Sequence, residues 1–362
     1  MNPLQQLADL GQAVWLDSIK RSYLGEDGYL SRLIGAGELQ GLTSNPTIFE
    51  SALSGDSDDT YDEQLRELHG SDPTEALWAI MKRDVRGACD AFLGLWQRTD
   101  GRHGQVSIEL DPTSAYDTER SVSDGLGIFS EIDRPNLMIK VPGTEPGLDA
   151  ITRLLAEGVN VNVTLLFSVP RYDAVISAFM DGVRQRVERG EDVSRLTSVA
   201  SFFVSRVDGK VDALFDEGVQ PQAPLTAGVA NARLAYDLFV QRFDDDGDFA
   251  DLAAAGARVQ RPLWASTSSK NDAYSDVIYV EQLAGPDTVN TMPEDTIDAT
   301  RQRADVRDRL TGSGDEAREQ LDHLRQDGVD LAQITKELES EGVEKFEKSF
   351  RSAVDTVASH LR

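Results

Sequence analysis

Short runs of apolar and β-branched residues recur along the chain, separated by longer stretches whose apolar positions fall at helical spacing. These runs predict strands at Ala13–Asp17, Leu39–Asn45, Gln105–Leu110, Leu137–Pro142, Asn160–Leu166, Thr197–Val204, Pro262–Ser266 and Val277–Leu283. Strands alternating with helices predict a parallel sheet. Eight such units in one chain predict an α/β fold of the (β/α)8 TIM-barrel type with additional helices, more than an open doubly wound sheet. Extra helices are expected near residues 47–100 and 207–257, and a helical C-terminal segment over 313–362. No Pro/Ser-rich linker or repeat divides the chain, so residues 1–362 are expected to form one domain. Within the first long interval, Asp72-Pro73-Thr74-Glu75 predicts an N-cap, a first-turn proline and a capping-box glutamate. Leu77, Ile80, Met81, Val85, Ala88, Phe92 and Leu95 then form an apolar face, and Cys89 beside it reads as a packing residue.

Polar side chains embedded in these strands carry the chemical information, because parallel strands covered on both faces normally read as continuous hydrophobic runs. Leu137-Met138-Ile139-Lys140-Val141-Pro142 is such a run broken by one lysine. Burying an ammonium without a partner favours its neutral form, whereas only about one free lysine in a few thousand is neutral at pH 7. A desolvated amine therefore suits Schiff-base chemistry, although this strand alone leaves open a strand-end lysine reaching to solvent. In Asn160-Val161-Asn162-Val163-Thr164 the polar residues share one face and the valines the other. Ser107 with Glu109, Asp17 with Ala13 and Trp15, and Ser201 with Phe203 share faces in the same way, and Asn45 ends the second strand. All are expected toward the carboxyl ends of the strands, where barrel active sites are built. Thr43 and Ser107 read instead as satisfied core hydrogen bonds. A lysine, two carboxylates, two amides and several hydroxyls suit carbonyl chemistry on a polyol.

Other chemistries are disfavoured. The four histidines are scattered and no HExxH or cysteine cluster exists, so no metal site is expected. No GxxxxGK[ST] loop is present, and Gly143-Thr144-Glu145-Pro146-Gly147 lacks dinucleotide spacing, so no cofactor is expected. No apolar run reaches membrane-spanning length, and no basic then apolar leader opens the sequence. With a single cysteine, these features predict a cytoplasmic protein that does not engage a membrane.

The same segments resemble transaldolases. Gly41-Leu42-Thr43-Ser44-Asn45-Pro46-Thr47-Ile48 is similar to the family's first signature. The run from Leu137 to Thr144, with Gly147 following, is similar to the signature around its Schiff-base lysine. Asn160 to Ser168 and Ser201 to Arg206 resemble two further blocks, and the Trp264-Ala265-Ser266-Thr267 block and helical C-terminus resemble the longer, actinobacterial-like members. The resemblance implies transfer of a dihydroxyacetone unit from a ketose phosphate to an aldose phosphate in the non-oxidative pentose phosphate pathway. It implies Lys140 as the nucleophile, Glu109 as an acid/base acting through a water held by Thr164, and Asp17 as the base for the C4 hydroxyl. It implies Asn45, Asn162 and Ser201 as hydrogen-bond partners of the dihydroxyacetone hydroxyls, and Arg206 as a phosphate ligand. Where many members have a second arginine after the seventh strand this chain has Lys270, the expected replacement. Phe203 stands where related fructose-6-phosphate aldolases carry a tyrosine, which leaves water activation to Glu109 and favours transfer over simple cleavage. A class I aldolase and a non-catalytic sugar-phosphate-binding barrel are the alternatives. The expected partners are sugar phosphates, acting on a monomer or homodimer.

Charge adds one further expectation. The net charge is −27, which disfavours nucleic acid as a partner. Cations are mostly arginine, with lysine confined to a few positions. An Asp-rich, Lys-poor surface repels itself in dilute buffer and is screened within about 3 Å in 1 M salt. Such a surface predicts a salt-loving source: unfolding midpoints are expected to rise as KCl is raised toward molar concentrations, and a protein most stable at low salt would remove that expectation.

Overall fold

The computed structural model describes residues 1–53, 59–215, 226–244, 247–269 and 271–361 of the chain. Eight parallel strands close into a barrel in sequence order: β1 Gln12–Asp17, β2 Gly41–Thr43, β3 Gln105–Glu109, β4 Leu137–Pro142, β5 Asn160–Leu166, β6 Ser198–Phe203, β7 Arg261–Ala265 and β8 Thr288–Met292. β8 pairs with β1, Trp15 lying opposite Thr291, and this contact completes the ring.

Seven of the predicted strands are found within a few residues of their expected bounds, and the eighth is not. Val277–Leu283 was expected as a strand, but Ile278–Gln282 is a short helix and the last strand is Thr288–Met292. Val277, Val280 and Leu283 are buried at three-residue spacing, which is one helical face. The true strand reads as polar, yet its hydroxyls and the Asn290 carbonyl oxygen find partners inside the protein. Thr288 donates to the Gly285 carbonyl at 2.7 Å, and Asn290 Oδ1 accepts from Thr267 at 3.0 Å. Hydrogen bonding with neighbours, invisible in composition, makes this segment fit for burial.

The barrel has two cores. Outward residues such as Ile108, Ile139, Val141, Val161 and Val163 pack against the surrounding helices. Inward residues Ala13, Trp15, Met138, Val199, Leu263 and Val289 fill the barrel lumen below its carboxyl-end mouth. Trp15 is fully buried and occupies space that only glycine at position 41 leaves free: a Cβ there would fall 2.5 Å from the indole ring.

The extra helices occupy the two long connections and the C-terminus. Helix Pro73–Arg98 is capped by Asp72, which accepts from Thr74 and Glu75, and it buries Leu77, Ile80, Met81, Val85, Ala88 and Phe92 as expected. Cys89 is buried on the same helix, and burial pushes its thiol pKa up, which makes it inert packing. Among the described residues no helix is long and apolar enough to cross a membrane. Helix Gly314–Gln326 leads into the long terminal helix Leu331–His360, which contacts the short helix Pro46–Leu53, helix Pro73–Arg98 and β5. The chain end thus returns across the carboxyl-end mouth.

Replacing Gly41 by alanine forces the Trp15 ring to move within a filled lumen. A loss of about 1–3 kcal/mol is expected, as for other overpacked cores. Urea unfolding measures it, and an unchanged midpoint would mean that the lumen has slack beside Trp15.

Candidate active site

β3, β4 and β5 are aligned so that Glu109 lies beside Lys140 and Lys140 beside Asn162. The alternation of side chains along a strand turns all three inward, while Ile139 and Val141 point to the helices. Lys140 is only 4% exposed and Glu109 only 2%. The Lys140 ammonium sits 3.3 Å from Glu109 Oε2 and donates to the Ser44 carbonyl at 3.3 Å. The approach to Glu109 is an ion pair lying off the hydrogen-bond axis, so Oε2 has no hydrogen-bond partner among the described residues. The buried amine thus has the third-strand carboxylate beside it, as the shared inward face of the two strands predicts.

Burial raises the Glu109 carboxyl to about 7, against the opposing pull of the Lys140 ammonium. The Asp17 charge adds to the rise and Arg206 opposes it. At neutral pH Glu109 is thus near the midpoint of its titration, where one group can both give and take a proton.

Around this pair the polar side chains form a fixed frame. Ser201 Oγ donates to Asn162 Oδ1 at 2.7 Å, and Asn162 Nδ2 donates to Ser107 Oγ at 3.0 Å. Thr43 donates to Asp17 Oδ1 at 2.8 Å and lies 3.2 Å from Thr291 Oγ1. Thr43 and Ser107 are therefore satisfied by hydrogen bonds, as expected, but to residues of the site itself. Asn45 Oδ1 accepts from the Ile48 backbone at 3.1 Å at the start of helix Pro46–Leu53. Thr164 is fully buried, and its Oγ1 has no partner among the described residues. A hydroxyl of this kind is completed by water or ligand.

A cavity of about 920 Å³ opens above this frame, lined by Asp17, Asn45, Lys140, Thr164, Ser201, Phe203 and Arg206 among others. Glu109 and Asn162 stand one layer behind the lining. Arg206 stacks over the Phe203 ring at 4.8 Å and over Phe346 at 5.8 Å, and burial lowers its pKa against the pull of Glu109 and Asp17. The guanidinium is thus held between aromatic faces at one end of the cavity, about as an anion-binding group needs to be.

Asn160 departs from the expected placement. It shares a face with Asn162 and Thr164, but it lies at the amino end of β5 and donates to the Pro135 and Leu137 carbonyls, far below the mouth. Lys270, expected as a second phosphate ligand, lies outside the described residues.

The terminal helix supplies a wall that the sequence did not reveal. Leu338, Gly342, Lys345 and Phe346 line the cavity, and the Phe346 ring lies 5.7 Å from Lys140 Nζ. Gly342 permits this approach, since a Cβ there would lie 2.9 Å from Leu165. Leu165 itself has a left-handed φ of +60° where the β5–β6 register shifts, a conformation that costs a non-glycine residue about 1–2 kcal/mol. This bulge sits directly after Thr164. The signal available in the sequence is the apolar stripe Leu338, Val343, Phe346 and Phe350, which marks a buried face but not what that face covers.

Comparison with known proteins agrees with this arrangement. A family model described as transaldolase/fructose-6-phosphate aldolase matches residues 14–357. The chain is 47% identical to a transaldolase of Frankia alni over 99% of this chain and 98% of that protein. It is 47% identical to a transaldolase of Saccharopolyspora erythraea over 99% and 97% of the two chains. Identity to a transaldolase of Mycobacterium tuberculosis is 44%, over 99% and 98%.

Direct titration of the Glu109 carboxyl, by infrared or carbon NMR, is expected to show a midpoint near 7. The native state then holds a proton that the unfolded chain releases near 4.5, so this group's contribution is full below 4.5 and lost as pH rises through 7. Lys140→Met removes the opposing ammonium and moves the midpoint higher still. A midpoint in the ordinary carboxylate range would show that water reaches Glu109.

Proposed function

The chain belongs to the transaldolase/fructose-6-phosphate aldolase family, and we propose that its barrel mouth works as a transaldolase site with Lys140 as the Schiff-base nucleophile. The observation that carries the assignment of roles is the Lys140 ammonium, almost wholly buried at the floor of a large cavity and 3.3 Å from a carboxyl poised near neutrality. A surface lysine has neither feature.

In this reading Lys140 Nζ, once deprotonated, adds to the C2 carbonyl of sedoheptulose 7-phosphate or fructose 6-phosphate. Glu109 takes the proton released from nitrogen and returns one to the departing hydroxyl, so that the carbinolamine loses water. The unsatisfied Thr164 Oγ1 supports a water held there as the relay, since Glu109 does not itself line the cavity. Asp17, oriented by Thr43, takes the C4 hydroxyl proton. The C3–C4 bond breaks, its electrons pass into the imine, and an aldose phosphate leaves. The enamine left on Lys140 adds to the carbonyl carbon of glyceraldehyde 3-phosphate or erythrose 4-phosphate, with the proton returned from Asp17. Hydrolysis of the new imine then frees the lysine. No metal or cofactor enters any step.

The fixed frame supports the binding roles. Ser201 lines the cavity and is held by Asn162 behind it, whose amide is engaged by Ser201 and Ser107, and Asn45, whose oxygen is occupied by Ile48, offers its Nδ2 to a hydroxyl. Arg206, between its two rings, takes the phosphate end. Phe203 has no hydroxyl with which to activate water, which favours passing the enamine to an acceptor sugar over releasing it. The proposal treats residues 1–362 as one catalytic unit, since the terminal helix forms part of the cavity wall, and places it in the cytoplasm.

Borohydride reduction in the presence of fructose 6-phosphate is expected to add a reduced dihydroxyacetone unit to the peptide carrying Lys140. Lys140→Ala should abolish labelling and lower transfer by about three orders of magnitude or more, as loss of a covalent nucleophile does. Labelling elsewhere, or substantial activity in Lys140→Ala, would overturn the mechanism. Rapid release of free dihydroxyacetone without an acceptor would replace transfer by aldol cleavage.

A further inference from the structure

A second cavity, about 560 Å³, lies at the opposite, amino-terminal mouth of the barrel, beneath the first residues of β3, β6 and β7. One side is basic, with Arg102, Arg258 and Arg261; the other is apolar, with Phe239, Phe243 and Phe249. Arg261 is the inward residue at the start of β7 and is 8% exposed, at a level of the lumen where apolar side chains are the rule. Its Nη2 donates to the Arg102 carbonyl at 3.1 Å, while its Nη1 is buried with no partner among the described residues. Nη1 of Arg258 is also buried without a partner among the described residues.

The surrounding charges do not neutralise this group. Arg102 is matched by Asp287 at 2.8 Å, and Arg258 by Asp100 at 3.2 Å, a carboxylate that Arg195 also shares. Asp244 lines the cavity too, yet neither it nor any other described carboxylate forms an ion pair with Arg261. The neighbouring His103 ring is pushed down to about 3 by burial and by the Arg261 and Arg102 charges. A guanidinium left unpaired in a cavity is costly, and it is an unusual feature in a chain of net charge −27.

We propose that this cavity binds a small organic anion, its charged group held by Arg261 and Arg258 and its apolar body packed on Phe239, Phe243 and Phe249. The Nη1 atoms of Arg261 and Arg258, without partners among the described residues, are donors of the kind that phosphate or carboxylate oxygens accept. The ring cluster is already assembled, with Phe239 and Phe243 centroids 5.2 Å apart and Phe243 and Phe249 centroids 5.0 Å apart. Bound ligand would lie against Met138, the inward neighbour of Lys140 two residues earlier on β4. The inference does not rest on the catalytic roles assigned above.

Calorimetric titration of the full chain with phenyl phosphate tests it, carried out in an Arg206→Ala background so that binding at the carboxyl-end mouth is suppressed. A saturable event is expected to remain, and Arg261→Met should weaken it about tenfold or more, the effect of losing a charge-assisted hydrogen bond. Arg258→Gln should weaken it in the same direction and serves if Arg261→Met fails to fold. Inorganic phosphate should bind more weakly than phenyl phosphate. No binding in the Arg206→Ala background would mean a water-filled cavity and would overturn the proposal. So would affinity unchanged by the Arg261 and Arg258 substitutions, and equal affinity for inorganic phosphate would remove the apolar half of the site.

Discussion

An ammonium and a carboxyl held side by side, almost out of water, set the terms for the rest of this molecule. Lys140 and Glu109 are neighbours across β3 and β4, so their contact is fixed by the register of two parallel strands and not by a loop that could relax. Burying such a pair removes hydration from both groups, and its mutual attraction repays that only in part. The residual cost is visible in the proton equilibrium of Glu109, which burial moves to about 7. A neighbouring site that holds both partners rigidly is therefore required. Asn162, Ser201, Ser107, Thr43 and Asp17 surround the pair and are tied to one another by hydrogen bonds between strands.

Dryness at the pair depends on a segment far away in sequence. Phe346 on the terminal helix faces the Lys140 amine and also stacks on Arg206, so one ring covers the nucleophile and positions the cationic end of the cavity. The helix reaches that depth because Gly342 has no side chain to collide with Leu165, and Leu165 is turned inward by the bulge after Thr164. Strain in the β5 backbone, a glycine in a helix and the exclusion of water from an amine are thus parts of one arrangement.

The two mouths of the barrel handle charge differently. At the carboxyl end the cations Lys140 and Arg206 face Glu109 and Asp17, and the balance is internal. At the amino end Arg261 points into the lumen with no ion-pair carboxylate among the described residues, and its neighbouring arginines are matched by Asp100 and Asp287. Between the two lies the apolar filling of Trp15, Met138, Val199 and Leu263, which separates the two mouths in space.

The sequence by itself determined the barrel class and seven of its strands, because strand and helix periodicities are local and alternating units in one chain have few ways to close. It also determined which side chains meet at the carboxyl ends: Asp17, Glu109, Lys140, Asn162, Thr164 and Ser201 interrupt strands that should be apolar, and strand periodicity turns them to one face. Only the tertiary structure decided which of those polar groups are satisfied by one another and which, like Thr164, remain open. It also decided that Asn160 serves the barrel floor and that polar Thr288–Met292, not apolar Val277–Leu283, closes the ring. Burial in those cases is conferred by hydrogen bonds and packing between residues distant in the chain. The same reason hid the wall formed by Phe346, since a helix reveals that it has an apolar face, but not what that face will cover.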